Sequence, residues 1–252
     1  MAIKHLLIDA DIFAYKASSA SQRGYRWDDG YWTLIADENE AFNIIDQLID
    51  STIRKVGGEG EAVICISDDN NFRTTVSEQY KSNRADVMPP LTLKACKEYM
   101  KEKYKAVVYP NLEADDVMAI LATHPVHGKN CVIVSQDKDL TQVEGVKVYR
   151  PDSKERVVGT NKFFFEQVLT GDPVDGYKGC PGVGKIKCDK LIGELEDPKE
   201  IWDVIVKAFE KHGGEEEAIK QAQMAWMLRH DDYNKETGEY TLCRPETHLH
   251  KM

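Results

Sequence analysis

Four short apolar runs, "HLLIDA" (5–10), "EAVICIS" (61–67), "KAVVYP" (105–110) and "NCVIVSQ" (130–136), are rich in β-branched residues and show little polar alternation. Such runs suit strands buried on both faces, as in a parallel sheet covered by helices. A fifth run, "VKVYR" (146–150), extends the series, and the segments 38–56, 91–104 and 113–124 between them have helical character. Strand and helix alternate. The chain is therefore constrained to an α/β class with a mainly parallel central sheet flanked by helices.

Each of the four main runs is followed by acid: Asp9 and Asp11, then Asp68 and Asp69, then Glu113, Asp115 and Asp116, then Asp137 and Asp139. Any one of these has an ordinary cause, because Asp and Glu favour the first turn of a helix; Asp11 or Asp69 alone reads as a cap or a solvated loop. Their recurrence does not. The carboxyl ends of strands in an open parallel sheet share one edge, where ligands bind, so the acids are expected to converge. Ionised carboxylates crowd together at a cost unless cations neutralise them. No His or Cys stands among these motifs, and an oxygen-only set suits Mg²⁺, with Mn²⁺ as a substitute. Two such ions can activate water and stabilise the leaving oxygen in phosphodiester hydrolysis.

The formal charge of −10 over 252 residues argues, as an average, against a polyanionic partner. The distribution argues otherwise. Residues 72–103 hold seven bases (Arg73, Lys81, Arg84, Lys94, Lys97, Lys101, Lys103) against four acids, a local surplus beside the acidic edge that suits a phosphate backbone. "GCPGVGK" (179–185) fits a P-loop pattern formally, but Ile186 stands where Ser or Thr would hold Mg²⁺ and no strand precedes it. A Gly-rich turn between two short helices, offering backbone N–H groups to a DNA phosphate, is the better reading. Residues 22–36 flank "DDG" with aromatics and predict a hairpin; Tyr25, Trp27, Tyr31 and Trp32 are expected to pack against the domain, with base stacking as the alternative. The six cysteines form no CxxC pair, and no apolar stretch approaches the ~20 residues of a membrane span, so neither a zinc site nor a membrane is expected and the cytoplasm is the default location.

Five motifs in order, "LLIDADIFAY", "SDDNNFR…YKSNR", "LEADD", "SQDKDL" and "GDPVDGYKGCPGVG", resemble those of the 5′ nuclease superfamily: flap endonucleases, the 5′ nuclease domain of DNA polymerase I and, most of all, small phage 5′→3′ exonucleases. The resemblance covers roughly residues 5–192. It implies a PIN-like or resolvase-like fold, with a catalytic domain at 1–158 that includes a basic clamp at 72–104. A helical DNA-binding region at 159–252 would carry a helix-three-turn-helix element at 163–195. By position, Asp9, Asp68, Glu113 and Asp115 or Asp116 would hold a first metal; Asp137, Asp139, Asp172 and Asp175 would serve a second. Lys81 matches the family's catalytic lysine, while Tyr80, Arg73 and Arg84 would position DNA. Gly182, Gly184, Lys185 and Lys187 would meet its backbone, with a monovalent cation at the turn. Implied substrates are DNA 5′ ends and flaps, with RNA–DNA hybrids as a further substrate, in a bacterial host's cytoplasm if the gene is phage-borne. The family commonly continues the turn as "GxKTA", whereas Ile186, Lys187 and Cys188 follow Lys185 here, and "VMPP" (87–90) limits helix in the clamp. Two rivals are a PIN-type metal-dependent RNase, which would lack the Gly-rich turn, and a non-catalytic DNA-junction binder, which would have lost carboxylates or Lys81.

Overall fold

The computed structural model describes residues 5–56, 61–84 and 86–251, so the first four residues of the expected catalytic domain lie outside it. The chain opens with β1 (His5–Asp9) and α1 (Asp11–Ala20), followed by a hairpin of β2 (Gln22–Arg26) and β3 (Trp32–Ala36). Next come α2 (Glu38–Val56) and β4 (Glu61–Cys65). A short α3 (Arg73–Val76) leads to α4 (Leu93–Tyr104) and α5 (Ala114–Ala122). Three strands, β5 (Cys131–Val134), β6 (Lys147–Arg150) and β7 (Glu155–Val158), complete the sheet. The main helices after them are α6 (Asn161–Thr170), α7 (Lys185–Ile192), α8 (Pro198–Phe209) and α9 (Gly214–Ala225).

The central sheet has the order β4-β1-β5-β6-β7; the first three pairings are parallel and β7 runs antiparallel at the edge. Period-two alternation divides the side chains of β1, β4 and β5 between two cores. Leu6 and Ile8 join Ile64, Val132 and Val134 in a core under α1, α2 and α4. Leu7, Cys65 and Ile133 face the opposite core, which runs continuously through Val117, Phe164 and Trp226. The C-terminal helices thus share their core with the sheet.

The helices follow from stripes and caps. In α2 the buried positions Ala41, Ile45, Ile49, Thr52 and Val56 recur every three or four residues. Asp37 caps that helix by accepting from the N–H groups of Asn39 (2.8 Å) and Glu40 (3.2 Å). Asp197 does the same for α8, with Pro198 at the first turn; each such cap contributes about 1 kcal/mol.

Two expectations require correction. The run 105–110 does not extend into a strand: Val107 makes one parallel bridge to Cys65, with Val107 N–H donating to Ile64 O at 2.7 Å. The chain turns at once into the 109–112 turn, where Leu112 N–H bonds Tyr109 O, so the ladder cannot lengthen. The hairpin exists at 22–36, but its aromatics do not pack on the domain, since Tyr25, Trp27, Tyr31 and Trp32 are all at least 50% exposed. The ribbon belongs to a separate two-stranded sheet, and Trp27 Nε1–H donates to its own partner strand at Thr33 Oγ1.

Candidate active site

Asp9 ends β1 and Asp137 follows β5 two residues beyond Ser135, so neighbouring parallel strands bring both acids to one edge. Ser135 Oγ–H donates to Asp9 Oδ2 at 2.8 Å and accepts from Asp137 N–H at 3.0 Å, which fixes their relative position. The first turn of α5 adds Asp115, with Glu113 as its N-cap residue. Asp139 follows on a 3-10 turn, its N–H donating to Asp137 Oδ1 at 2.7 Å. Asp172 and Asp175 arrive from the loop after α6. These seven acids line one cavity of about 330 Å³, together with Asp11, Lys81, Arg84 and Lys138.

The 172–177 loop reaches the basic segment only because Gly176 has φ +81; a Cβ there would stand 2.4 Å from Gln79 O. The contact places Lys81 N–H on Asp175 O at 3.0 Å and leaves Lys81 itself in the left-handed region at φ 51. That conformation costs a non-glycine residue about 1–2 kcal/mol, offset here by side-chain pairing. Lys81 Nζ donates to Glu113 Oε1 and stands 3.6 Å from Asp175 Oδ1, while Arg84 Nη2 lies 3.3 Å from the same Asp175 oxygen. Tyr80 is buried and its hydroxyl donates to Glu113 Oε2 at 2.8 Å. Tyr80 therefore holds Glu113 in place and is too enclosed to touch DNA.

Electrostatics mark the cavity as short of positive charge. Burial pushes Asp9 up to about 7, and Asp11 and Asp137 add to the shift. Burial and Asp137 likewise raise Asp139 to about 7, against the opposing pull of Lys138. Asp115 is driven well up by burial and by Asp137, Asp9 and Glu113. Glu113 goes the other way: burial would raise it, but Lys81 and Arg73 outweigh burial and hold it below the usual range.

Asp115 Oδ1 and Asp139 Oδ1 are buried with no hydrogen-bond partner among the described residues. Such oxygens suit a hard cation. No three acids, histidines or cysteines among the described residues converge tightly enough to ligate one ion as they stand. The donor set nonetheless fits ions that keep several of their waters and so need few direct protein ligands.

Several expected site residues lie elsewhere. Asp68 does not line the cavity: its Oδ2 accepts from Asn111 N–H at 2.9 Å, and its own N–H bonds Leu112 O, so Ser67 faces inward instead. Asp116, one position from Asp115 on α5, points to the opposite side. Its carboxylate accepts from Arg73 Nη1 (2.6 Å), Arg73 Nη2 (2.8 Å) and Leu228 N–H (3.0 Å). Arg73 is itself buried, donating also to Met224 O and Trp226 O, and so braces α5 against the C-terminal segment without reaching substrate. Conversely, Asp11 enters the cavity and accepts from Ser67 N–H at 3.0 Å. Ser135 and Lys138 were not foreseen. For Lys138 a signal existed, a base wedged between two acids in "SQDKD".

The Gly-rich turn lies between α6 and α7, as expected. Gly182 has φ +75, Gly184 is the N-cap residue of α7, and a Cβ at either would meet nothing within 4 Å. Lys185 and Lys187 are exposed beside this open backbone, and Ile186 is 76% exposed. The surface admits close approach by a phosphate.

A metal-dependent effect on stability follows. Because Asp9 and Asp139 bind protons more tightly folded than unfolded, their burial costs little below about pH 4 and progressively more as pH rises to about 7. A divalent cation bound there would select the ionised form and remove that cost. The rise in Tm on replacing EDTA by Mg²⁺ is expected to be larger at pH 8 than at pH 5.5, each kcal/mol giving about 2–4 °C in a chain of this size. Scanning calorimetry at both values checks this, and equal shifts would count against it.

Comparison with known proteins identifies a family and a fold. Residues 4–168 match the family described as 5′-3′ exonuclease, N-terminal resolvase-like domain. The exodeoxyribonuclease of Enterobacteria phage T3 is 27% identical, over 96% of this chain and 93% of its own length. The exonuclease of Escherichia phage T7 is 28% identical, over 95% and 93%. Among solved structures, a phage T5 5′-exonuclease with divalent zinc ions bound superposes with a TM-score of 0.60 at 15% identity, covering 88% of this chain and 89% of the other. A T5 flap endonuclease in a pseudo-enzyme-product complex with DNA and metal ions has a TM-score of 0.63 at 15% identity and the same coverage.

Proposed function

The chain belongs to the 5′-3′ exonuclease family through its N-terminal resolvase-like domain, and from that premise we propose that it is a metal-dependent 5′→3′ exonuclease and flap endonuclease hydrolysing DNA phosphodiesters. The observation that carries this is the meeting of Asp9, Glu113, Asp115, Asp137, Asp139, Asp172 and Asp175 in one cavity, with Lys81 among them.

Two Mg²⁺ ions, with Mn²⁺ as a substitute, are the proposed cofactor; bound, they would supply a nucleophilic hydroxide and screen the leaving oxygen. Asp9, Glu113 and Asp115 would hold the first, and Asp137, Asp139, Asp172 and Asp175 the second. Lys81 sets its ammonium against the non-bridging oxygens of the scissile phosphate, where charge grows in the transition state. Arg84, with its side chain 55% exposed, meets the neighbouring phosphate. Glu113, gripped by Lys81 and Tyr80, keeps the ammonium aimed. The turn at Gly182 and Gly184, with Lys185 and Lys187, anchors the duplex backbone and offers a place for a monovalent cation.

In this reading residues 1–158 carry most of the chemistry, while 159–252 hold DNA and lend Asp172 and Asp175 to the second ion. RNA–DNA hybrids are a second substrate class, and the host cytoplasm is the setting. The Gly-rich turn disfavours a PIN-type RNase, and the intact acids with Lys81 disfavour a decayed junction binder.

Cleavage of 5′-labelled blunt, nicked, flapped and hybrid substrates, with Mg²⁺ or EDTA, tests the proposal. Short 5′ products that require Mg²⁺ are expected. Binding without metal-dependent cleavage, or degradation from 3′ ends, would overturn it.

A further inference from the structure

Lys138 stands between the acids assigned to the second ion. Its Nζ donates to Asp172 Oδ2 at 3.0 Å and lies 3.9 Å from Asp139 Oδ1, the buried oxygen that lacks a hydrogen-bond partner among the described residues. A cation held by Asp139 and Asp172 would have to share these oxygens with the ammonium, and like charges at that spacing repel.

The backbone here is fixed. Lys138 O accepts from Thr141 N–H at 3.0 Å and from Thr141 Oγ1 at 2.6 Å, so only the side chain can yield. That side chain is 61% exposed and borders two spaces: the acidic cavity, and a separate cleft of about 270 Å³ between α6 and α7 that contains Glu166 and Lys185. It has room to leave one for the other while its Cα stays put.

We propose that Lys138 is a built-in counter-ion that competes with the second divalent cation and is displaced into the α6–α7 cleft when that cation binds. The chain thereby sets how much free metal is needed to complete the site. Occupation of the second position would also release a positive charge toward the rim where Lys185 already lies, on the side of the Gly-rich turn. The inference rests on the proposed reading of the acidic cavity as a site for divalent ions.

Mn²⁺ uptake by the full chain, followed through the free-ion EPR signal at neutral pH, tests the inference without any cleavage assay. In Lys138→Met the weaker of the two uptake steps is expected to tighten about fivefold or more, the scale of an ordinary coupling between charged sites. Lys138→Arg, which keeps the charge, is expected to stay close to the parent chain. An unchanged or weakened second step in Lys138→Met would overturn the role of Lys138 while leaving the cavity's assignment standing. No Mn²⁺ uptake by the parent chain would instead remove the cavity reading, and this inference with it.

Discussion

Arg73→Met is expected to lower the free energy of unfolding by about 3–5 kcal/mol, the cost of stranding a buried charge. Asp116 is fully buried and takes three of its hydrogen bonds from Arg73 Nη1, Arg73 Nη2 and Leu228 N–H. Removing the guanidinium takes away the cation paired directly with that carboxylate and strips donors from Met224 O and Trp226 O. The damage would spread because Arg73 links three parts of the chain: the basic segment, α5 and the end of α9 with the residue that follows it. Urea denaturation measures the loss. A cost under about 1 kcal/mol would show that the pair does not bind these elements together. The double variant Arg73→Met, Asp116→Leu should cost clearly less than the sum of its single changes, since it buries no unpaired charge.

Lys81→Ala is expected to slow single-turnover cleavage by about 10²–10³-fold, equivalent to losing about 2.7–4 kcal/mol of transition-state stabilisation. Lys81 pairs with Glu113 and faces Asp175 inside the acidic cavity, so in the proposed function its charge would lie where phosphate charge develops. Removing it also relaxes the restraint on Glu113, leaving Tyr80 and the more distant Arg73 as its partners. Binding of a nicked duplex should persist within a few-fold, because the exposed Lys185 and Lys187 surface is untouched. Unaltered single-turnover rates would dismiss Lys81 as a reacting group, whereas collapse of both binding and Tm would mark it as a structural residue.

These two variants separate residues that look alike in one dimension. Arg73 and Lys81 are bases eight positions apart in one cationic segment, and the sequence alone points both toward substrate. Arg73 opens α3 and is turned inward among Phe72, Trp226 and Asp116; Lys81 lies beyond α3, where the contact with Gly176 holds it over the cavity. Nothing in local sequence distinguishes the two. The partner that captures Arg73 comes from 43 positions away, and the carbonyls it caps from about 150.

What the sequence by itself determined was the period. Apolar runs such as "HLLID" and "CVIV" call for burial on both faces, which selects alternating helices and a parallel sheet, and the acids that follow the runs are then assembled along one edge. Gly182 and Gly184 of "GCPGVG" likewise specify a turn with open backbone. What only the tertiary structure decided was the facing of individual side chains: Asp115 inward and Asp116 away, Ser67 and Asp11 in the cavity in place of Asp68, Lys138 poised over Asp172. The physical reason is that successive residues on a helix or loop differ by a large rotation, while their chemistry is the same. Which acid faces the cavity, and which pairs with a buried arginine, depends on distant segments that meet only when the cores on both faces of the sheet have closed.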